Sequence, residues 1–367
     1  MTDSSKPQVS VRDVLNSIET HEFHPLEDGS FTIDRSLEEH GIADLEDRDW
    51  RVRLLAVRDL VRAGTAVPES ILPGLESEDI HVRSITANAA GVLSERSARS
   101  SLEGLLRDDA VPLVRTQAAI ALGRIGVGES LEPLRTAAVE DESRDVRHQA
   151  SLACHRIETG QPATERLAAS FMELTPSKFG RVRQGDQPRS FTLPDTDGNT
   201  VSLSDLTTPS QWTVLIWIFA DWCPVCHGEF DELIEYEAAF QDLNIGVVTI
   251  ECTDAYRARV MTGNEVEPEY WFADEPRGAT YADDIWWPHL VDRAGRVGAE
   301  YGVDPMAFAV HAEYINRPAT VIIGPSGEVR FAYVGTYWGD RPTIPETIEM
   351  IRDETFSFEH PERRSLP

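Results

Sequence analysis

The chain has 367 residues, which is enough for two or three domains, each with a hydrophobic core of its own. Its 63 acidic and 34 basic residues give a net charge of −29 at pH 7, which excludes nucleic-acid phosphate as a partner of the chain as a whole. Lys6 and Lys178 are the only lysines. Because salt screens the repulsion within so acidic a surface, this composition is typical of proteins from a salt-loaded cytoplasm, and we expect a halophilic archaeon as the source.

Cysteine content and hydropathy limit the location of the protein. Its four cysteines are too few for a small secreted scaffold held by disulfides. No apolar run reaches the roughly 20 residues that a membrane-spanning helix needs. The segment MTDSSKPQVS at the start lacks the basic region and apolar stretch of a secretory signal. We therefore expect a cytoplasmic protein that does not bind membranes.

The first half of the chain contains an internal repeat. Residues 1–44 show no clear pattern and are expected to form an N-terminal cap or a partly disordered segment. Over residues 45–165, Val-Arg pairs recur at 52–53, 82–83, 114–115 and 146–147. Each pair follows an acidic cluster, predicted to cap a helix, and each arginine is predicted to bridge to a carboxylate of a neighbouring repeat. Stacked helix pairs of this kind share one core, so the pattern predicts an α-solenoid.

These repeats have a D-x-x-V-R start and an A-x-x-A-L-G-x-I-G continuation. They resemble the short HEAT-like repeats of the PBS-lyase type. The resemblance implies a scaffold or a surface that binds an unknown protein partner. Cys154 takes the position in the fourth repeat that Leu122 has in the third, so we expect a buried and unreactive core thiol there.

A connector at residues 166–187 leads to a second pattern, in which strands and helices alternate. FTLPDTDGNTVSLSDL (191–206) predicts a β-hairpin. The apolar strand TVLIWIFA, a helix over about 225–243 and a second buried strand, IGVVTIEC, predict a β–α–β crossover. RPATVIIGPSGEVRFAYVG (317–335) predicts two more strands joined by a turn. A last helix is expected over about 345–353, before a C-terminal tail at 356–367.

The most informative motif lies between the first strand and the helix of this crossover. Cys223 and Cys226 are three positions apart at a predicted helix N-terminus, where backbone N–H groups and the helix dipole favour an anion. A thiolate in this position attacks a disulfide or a peroxide, and the second thiol then closes an internal disulfide. Pro224 within the pair and Trp222 before it both fit a redox motif. The motif therefore predicts dithiol–disulfide chemistry that needs no cofactor.

The order of elements around this motif resembles the thioredoxin superfamily, and most of all its peroxiredoxin-like (AhpC/TSA, redoxin) branch. The resemblance covers about residues 188–355 and rests on the hairpin, the W-C-P-V-C motif, AEYGV at 299–303 and RPATVIIGPSGEV at 317–329. It implies a multi-domain chain in which an all-α HEAT-like α-solenoid is followed by an α/β thioredoxin fold. It also implies that Pro318 is a cis-proline that faces the dithiol across the site.

The resemblance leaves two assignments of the nucleophile open. In the thioredoxin-like arrangement, Cys223 is the more exposed, attacking thiol, and the more buried Cys226 resolves the mixed disulfide. In peroxiredoxins a threonine lies three residues before the peroxidatic cysteine, so their nucleophile corresponds to Cys226. Because both thiols are present, we expect a thiol–disulfide oxidoreductase led by Cys223, whose protein substrates or redox partners bind as mixed disulfides. The alternative is a thiol peroxidase.

Three further positions bear on how the dithiol is tuned. Thioredoxins have a buried aspartate six residues before the first cysteine as a proton acceptor, and Trp217 takes that position here. Arg317, next to the expected cis-proline, is placed to supply a cation that lowers a thiol pKa, or else to form a surface salt bridge. Cys252 ends the second strand of the crossover and is expected to be either a half-buried strand residue or an auxiliary resolving thiol.

Other classes of function compete with dithiol chemistry. Cys223 to His227 spells C-x-x-C-H, the attachment motif of c-type haem, but the motif directly follows a buried strand, and we expect no haem. No second cysteine or histidine pair has the spacing of a zinc site. A non-enzymatic scaffold with a vestigial redoxin domain is the remaining alternative, and the presence of both thiols and Pro318 argues against it.

Overall fold

The structure is a computed structural model, and it describes residues 49–161, 167–266, 281, 283–335 and 341–358. The expected N-terminal segment lies outside these residues, as do parts of the expected linker and C-terminal tail. The chain forms two compact units. The repeat unit comprises the described residues up to Leu174 together with Met306–Tyr314, and the sheet unit comprises Thr175–Pro305 and the described residues from Ile315 onward.

The repeat unit is an array of paired helices. Its helices are α1 (Trp50–Ala66), α2 (Ile80–Leu93), α3 (Arg99–Asp108), α4 (Pro112–Ile125), α5 (Leu131–Glu140), α6 (Arg144–Glu158) and α7 (Leu167–Met172). The helices that carry the Val-Arg pairs, α1, α2, α4 and α6, pack side by side in that order. A 3-10 helix, Pro68–Glu76, replaces the second helix of the first repeat, and it contains Pro73, which lacks an N–H donor. The predicted α-solenoid is confirmed.

Acidic residues cap the repeat helices in two ways. Asp79 is the N-cap residue of α2, and its carboxylate accepts a hydrogen bond from the N–H of His81 at 2.7 Å. At α4 the N-cap residue is Val111, and Asp109, two positions earlier, accepts the N–H of Val111 at 2.9 Å. The start of α1 follows the first pattern, and the start of α6 follows the second. The expected acidic N-cap therefore occurs in two repeats, and in the other two the acidic residue lies two positions before the N-cap residue.

The predicted bridges between repeats are present for Arg83 and Arg115. Arg83 Nε lies 2.7 Å from Asp109 Oδ2, and Arg115 Nε lies 2.9 Å from Asp141 Oδ2. Each arginine therefore joins its own repeat to the next one. The second pair is the more buried, because both of its side chains are less than a tenth exposed (6% and 8%).

Small residues allow the repeat helices to approach closely. A Cβ atom built on Gly91 would lie 2.7 Å from Ala121 Cα on the neighbouring helix. A Cβ atom on Gly123 would lie 3.0 Å from Ala153 Cα. Contacts this short exclude a larger residue unless the helices move apart, which explains why the repeat pattern is rich in glycine and alanine.

The sheet unit is built around a five-stranded mixed sheet. The strands of the described residues are β1 (Thr192–Pro194), β2 (Thr200–Ser202), β3 (Trp212–Trp217), β4 (Ile245–Glu251), β5 (His289–Val291), β6 (Phe308–Val310), β7 (Glu313–Ile315), β8 (Ala319–Ile323) and β9 (Val329–Val334). The order in the sheet is β5-β4-β3-β8-β9. β3, β4 and β5 are parallel, whereas β8 and β9 are antiparallel to their neighbours. Its helices are α8 (Leu203–Thr207), α9 (Pro224–Glu235), α10 (Glu237–Asp242), α11 (Ala255–Met261), α12 (Arg296–Tyr301) and α13 (Ile344–Arg352).

The predicted fold class is confirmed, with one difference in a helix. β1 and β2 form the expected hairpin, and α9 connects the parallel strands β3 and β4 as predicted. The helix expected over 225–243 is broken at Tyr236 (φ −97°, ψ 13°). In an unbroken helix, Phe240 would point about 80° around the axis from Phe230. With the break, both rings are fully buried. Within the described residues, no helix is both long enough and apolar enough to span a membrane.

Candidate active site: a buried dithiol

The central strand of the sheet leads directly to the two thiols. All six residues of β3 are buried. The chain then turns, and Cys223 becomes the N-cap residue of α9, a helix of 12 residues. Pro224 is its first residue, where a missing N–H leaves no helical hydrogen bond unmade and the fixed φ suits the helix. Cys223 and Cys226 therefore both lie at the positive end of a helix that starts from a rigid strand.

The thiols share hydrogen bonds but have different surroundings. Cys223 Sγ accepts the N–H of Cys226 at 3.4 Å. Cys226 Sγ accepts the N–H of Phe219 at 3.2 Å and a donor from the guanidinium of Arg341 at 3.4 Å. Cys226 thus receives a positively charged donor in addition to a backbone amide.

Burial does not distinguish the two thiols. Both Cys223 and Cys226 are 0% exposed. The expectation that Cys223 is the more exposed thiol is therefore wrong for this structure. The turn itself folds inward, since Phe219 and Trp222 are also buried and pack edge to face with ring centroids 5.8 Å apart.

The electrostatic environment separates the thiols strongly. Burial raises the pKa of Cys223 well above its ordinary value, and the neighbouring Cys226 raises it further. Burial also opposes ionisation of Cys226, but the hydrogen bond with Cys223 and the positive charge of Arg341 outweigh it and lower the pKa of Cys226 to about 7. Cys226 is therefore the thiol that ionises near neutral pH.

The positive charge next to Cys226 belongs to Arg341, which lies in a part of the sequence without a recognisable motif. Arg341 follows Cys226 by 115 residues and is 5% exposed. Its guanidinium forms an ion pair with Glu229, which lies one turn after Cys226 on α9. The buried Glu229 carboxylate holds the guanidinium next to the sulfur and keeps the pKa of Arg341 well above its ordinary value despite burial. The spacing within the motif gives no signal for this contact.

Arg317 and Pro318, both expected at the site, have other contacts. Arg317 Nε lies 2.8 Å from Asp304 Oδ2, and its guanidinium also donates to the Gly335 carbonyl at 3.2 Å. Arg317 therefore forms a salt bridge, but a buried one. Pro318 directly precedes β8 and accepts the N–H of Gly335 at 2.7 Å.

The expected cis peptide bond at Pro318 is wrong, because the described residues contain no cis peptide bond. The preference for trans at an X–Pro bond is small, so the contacts of the surrounding segment decide the isomer. Here Asn316 Nδ2 donates to the Arg317 carbonyl, the one that precedes Pro318, at 2.8 Å. Asn316 also donates to the Ile218 carbonyl at 2.9 Å, which ties this segment to the end of β3.

The remaining residues singled out in the sequence have structural surroundings. Trp217 is fully buried and packs on Tyr301 with ring centroids 5.0 Å apart, so its position is part of the core. His227 is also buried, with Nε2 2.6 Å from the Asp221 carbonyl oxygen and Nδ1 3.2 Å from the Tyr281 hydroxyl. Both ring nitrogens of His227 thus have protein partners.

The other two cysteines lie in unreactive surroundings. Cys252 is partly buried, and burial together with the nearby carboxylate of Asp292, 3.9 Å from its sulfur, raises the pKa of Cys252 well above its ordinary value. Cys154 is buried in α6, and burial raises the pKa of that thiol as well. Both thiols are therefore protonated at neutral pH and are weak nucleophiles.

Buried charges that the sequence analysis missed surround the end of the sheet. Asp221, two residues before Cys223, forms a buried ion pair with Arg257 of α11. On the neighbouring strands, His289 Nε2 lies 3.3 Å from Glu251 Oε2, and burial raises the pKa of Glu251 despite the histidine. Among the residues that the structure describes, no group of three or more His, Cys, Asp and Glu is arranged to hold a metal ion.

Two thiols thus lie at a helix N-terminus, at the end of a central strand and next to a buried cation. The expected resemblance of this part of the chain is confirmed, since residues 184–332 match the AhpC/TSA family. Residues 41–123 and 68–155 match HEAT repeats. The chain thus joins HEAT repeats to an AhpC/TSA domain, which supports a thiol oxidoreductase or peroxidase role. HEAT repeats are in general protein-interaction modules.

Solved structures similar to this chain include three peroxiredoxin-type proteins. The reduced 2-Cys peroxiredoxin of Plasmodium vivax has 16% identity and a TM-score of 0.36, and the match covers 47% of this chain and 81% of that one. AhpC of Enterococcus faecalis has 18% identity, a TM-score of 0.37 and coverages of 48% and 93%. AhpC of Mycobacterium bovis has 14% identity, a TM-score of 0.37 and coverages of 48% and 98%. Comparison with curated proteins gives no match.

Proposed function

We propose that the sheet unit reduces hydroperoxides, with Cys226 as the attacking thiolate and Cys223 as the resolving thiol. The observation that carries this proposal is the pair of donors on Cys226 Sγ, the N–H of Phe219 and the guanidinium of Arg341. They stabilise the thiolate form, so a pKa of about 7 for Cys226 leaves about half of this thiol ionised at neutral pH. This assignment reverses the roles expected from the thioredoxin-like arrangement.

The chemistry proceeds in two steps. Cys226 thiolate attacks one oxygen of the hydroperoxide, an S–O bond forms as the O–O bond breaks, and the other oxygen leaves as an alcohol or water after taking up a proton. The sulfur is oxidised to a sulfenic acid. The Cys223 thiol then attacks this sulfur, an S–S bond forms, the S–O bond breaks and water leaves. A dithiol reductant returns the pair to its reduced form and is itself oxidised to a disulfide.

Arg341 has a second role in this proposal. Its Nη1 is buried and has no hydrogen-bond partner among the described residues, whereas its Nη2 contacts both the Cys226 sulfur and Glu229. A guanidinium held in this way is placed to donate to a peroxide oxygen and to stabilise the negative charge that develops on the leaving oxygen. Arg341 therefore supports both the nucleophile and the leaving group.

Burial supports a small oxidant. Both sulfurs are 0% exposed, so a disulfide on a protein surface has no direct approach to either thiol in this conformation. A hydroperoxide needs far less space. The reductant is different, because a disulfide between Cys223 and Cys226 must still be reduced by a thiol. We propose that this reductant is a dithiol protein of the cytoplasm, bound in passing as a mixed disulfide.

A second candidate is thiol–disulfide exchange led by Cys223. It is favoured by the position of Cys223 as the N-cap residue of α9 and by the C-x-x-C spacing. The raised pKa of Cys223 argues against it, since little of this thiol is ionised at neutral pH. In this candidate, the HEAT-like repeats would bring the dithiol to particular protein substrates.

Single-cysteine variants test the assignment. In a single-turnover assay with hydrogen peroxide, we expect Cys226→Ser to lose consumption by at least about a thousandfold, because the nucleophile is gone. We expect Cys223→Ser to consume one equivalent and to accumulate a sulfenic acid at Cys226, detected by dimedone labelling and mass spectrometry. Cys252→Ser is the matched control and should behave like the unchanged protein.

The opposite pattern would overturn the proposal. If Cys226→Ser still consumes peroxide and Cys223→Ser does not, Cys223 is the nucleophile. If neither variant affects peroxide and the unchanged protein reduces insulin disulfides, the second candidate holds. In that case a mixed disulfide with a partner accumulates in Cys226→Ser rather than in Cys223→Ser.

A further inference from the structure

A short segment from within the AhpC/TSA match belongs to the repeat unit. The match covers residues 184–332, but the chain enters the repeat unit at Met306 and leaves it after Tyr314. The segment forms a hairpin of β6 and β7, which is a two-stranded sheet of its own. Its first strand is buried at Phe308 (7% exposed) and Ala309 (6% exposed). We call residues 306–314 the inserted hairpin.

The inserted hairpin has a turn that its own sequence does not favour. His311 and Ala312, between the two strands, have φ values of 48° and 53°. A two-residue turn with both φ values positive prefers Asn-Gly, because residues with a Cβ lose about 1–2 kcal/mol each in this conformation. Met306, where the hairpin begins, also has a positive φ of 62°. Since even an unstrained two-stranded hairpin is marginal in water, this one needs contacts from outside itself.

Arg53 of α1 supplies such contacts at the beginning of the hairpin. It is 2% exposed, and its Nε and Nη2 donate to the carbonyls of Met306 at 2.9 Å and Ala307 at 3.0 Å. Its guanidinium also lies over the ring of Tyr314, 5.7 Å from the centroid. Arg53 is the first-repeat counterpart of Arg83, which binds a carboxylate of the next repeat. In the first repeat, the arginine of the motif donates hydrogen bonds to the backbone of the inserted hairpin.

Helix α6, which carries the last Val-Arg pair, contacts the other end of the hairpin. Gln149 Nε2 donates to Glu313 Oε2 at 3.2 Å, and both residues are buried. His311 Nδ1 lies 3.4 Å from Asp145 Oδ1. The inserted hairpin is therefore held by the first and the last of the four Val-Arg helices, α1 and α6.

We propose that the inserted hairpin is an intramolecular ligand of the repeat array. The array recognises a two-stranded segment through backbone carbonyls, bound by Arg53, and through the Glu313 carboxylate, bound by Gln149. The repeat array thus binds a segment of its own chain. Another protein that bound the array at Arg53 would have to compete with the hairpin. This proposal does not depend on the redox chemistry, and the thiol reactions above do not test it.

Hydrogen exchange of the unaltered protein in increasing urea tests which unit the hairpin unfolds with. We expect the amides of 306–314 to lose protection at the same urea concentration as those of α2, because the array holds the hairpin. If the hairpin amides instead follow β3 and β8, or are unprotected without urea, the proposal is wrong. This measurement needs no substitution and so does not depend on how well a variant folds.

A pair of variants tests the role of Arg53. Arg53→Met keeps an apolar stem but removes the donors to Met306 and Ala307, and we expect exchange at 306–314 to become at least about tenfold faster. Arg58→Met is the matched control, because Arg58 is on the same helix and pairs with Asp59 at 2.8 Å. It should change exchange at 306–314 less than about twofold. Equal effects of the two substitutions would overturn the proposal.

A third variant tests the strain in the turn. Ala312→Gly removes the Cβ at a position with φ of 53°, and we expect it to slow exchange at 306–314 and to reverse part of the Arg53→Met effect. If Ala312→Gly speeds exchange in both backgrounds, the turn is not strained and the array does not compensate for it.

Discussion

Both units bury an arginine–carboxylate pair, yet the two pairs have different consequences. In the repeat unit, Arg115 binds Asp141 and gives a further donor to the Asp109 carbonyl at 2.8 Å. In the sheet unit, Arg341 binds Glu229 and gives a further donor to the Cys226 sulfur. The first guanidinium contacts carboxylates and a backbone carbonyl. The second faces a thiol, and so the same kind of ion pair controls a protonation state.

The largest effect is expected when the Arg115–Asp141 pair of the repeat unit is removed. Arg115→Met leaves Asp141 largely buried without its cation, and we expect the free energy of unfolding of the repeat unit to fall by on the order of 2 kcal/mol. The estimate is at the lower end for buried pairs because Glu142, also near this guanidinium, is 84% exposed and keeps water close. Urea denaturation followed by circular dichroism measures the loss.

A double variant shows whether the pair itself is needed. In Arg115→Met with Asp141→Leu, no buried charge is left alone, and we expect most of the lost stability to return. The thiol pKa values should not change in either variant. A change in the pKa of Cys226 would show that the two arginine pairs are not independent and would break the comparison.

The second test removes the Arg341–Glu229 pair. Arg341→Met with Glu229→Gln avoids an unpaired buried carboxylate, and we expect the pKa of Cys226 to rise, because the cation has the larger effect on this thiol. A full return to about 8.5 would reduce the thiolate fraction at pH 7 from about one half to about 3%. Thiolate absorbance at 240 nm and the rate of peroxide consumption should fall together.

Its matched control is another buried pair of the sheet unit, Arg317 with Asp304. Arg317→Met with Asp304→Asn removes an arginine and a carboxylate of similar burial, and Asn tolerates the positive φ of 47° at this position. We expect the pKa of Cys226 to stay near 7 in this variant. A rise as large as that caused by the Arg341 variant would restore Arg317 as the residue that activates the thiol.

The third test uses pH and has a defined sign. The pKa of Cys226, about 7, lies below that of an ordinary thiol, so ionisation stabilises the fold at high pH and this contribution is lost as the pH falls through 7. The peroxide rate depends on the thiolate fraction of Cys226, so it should fall about tenfold per pH unit below pH 7 and level off above pH 8. Glu229→Gln alone removes a negative charge that raises this pKa, so we expect the midpoint to move below 7. A midpoint that moves upward would mean that Glu229 acts only by holding Arg341.

The difference between the two pairs also explains what could be predicted from the sequence. Arg83 and Arg115 were predictable because their carboxylates lie 26 residues away, one repeat further along a regular period. Arg341 lies 115 residues from Cys226, and only the packed fold brings the two together. The thiol motif, the strands and the α-solenoid were predictable for the same reason as the bridges, since each depends on local spacing.

Where prediction failed, non-local contacts decided the outcome. Pro318 was expected to be cis by analogy, whereas Asn316 binds the preceding carbonyl and the end of β3 in the trans chain. Cys223 was expected to be the more exposed thiol because of its place at a helix start, but burial is set by everything that packs over that start. The inserted hairpin could not be predicted either, because Arg53 lies 253 residues before Met306, where the hairpin begins.

The smallest test compares one glycine in each unit. Gly104 lies in α3 of the repeat unit and Gly228 in α9, two residues after Cys226, and a Cβ atom at either position would meet no atom within 4 Å. Replacing each by alanine costs no contact and restricts the unfolded chain, so we expect each substitution to raise the free energy of unfolding by about 0.5–1 kcal/mol.

The control for these two substitutions is Gly91→Ala, whose Cβ would lie 2.7 Å from Ala121 Cα and which should be destabilising. Gly228→Ala changes no charge near the thiols, so the pKa of Cys226 should stay at about 7 while stability rises. If Gly228→Ala shifts that pKa as Arg341→Met with Glu229→Gln does, then the start of α9 rather than the guanidinium sets the ionisation of Cys226. The contrast between the two buried arginine pairs would then lose its physical basis.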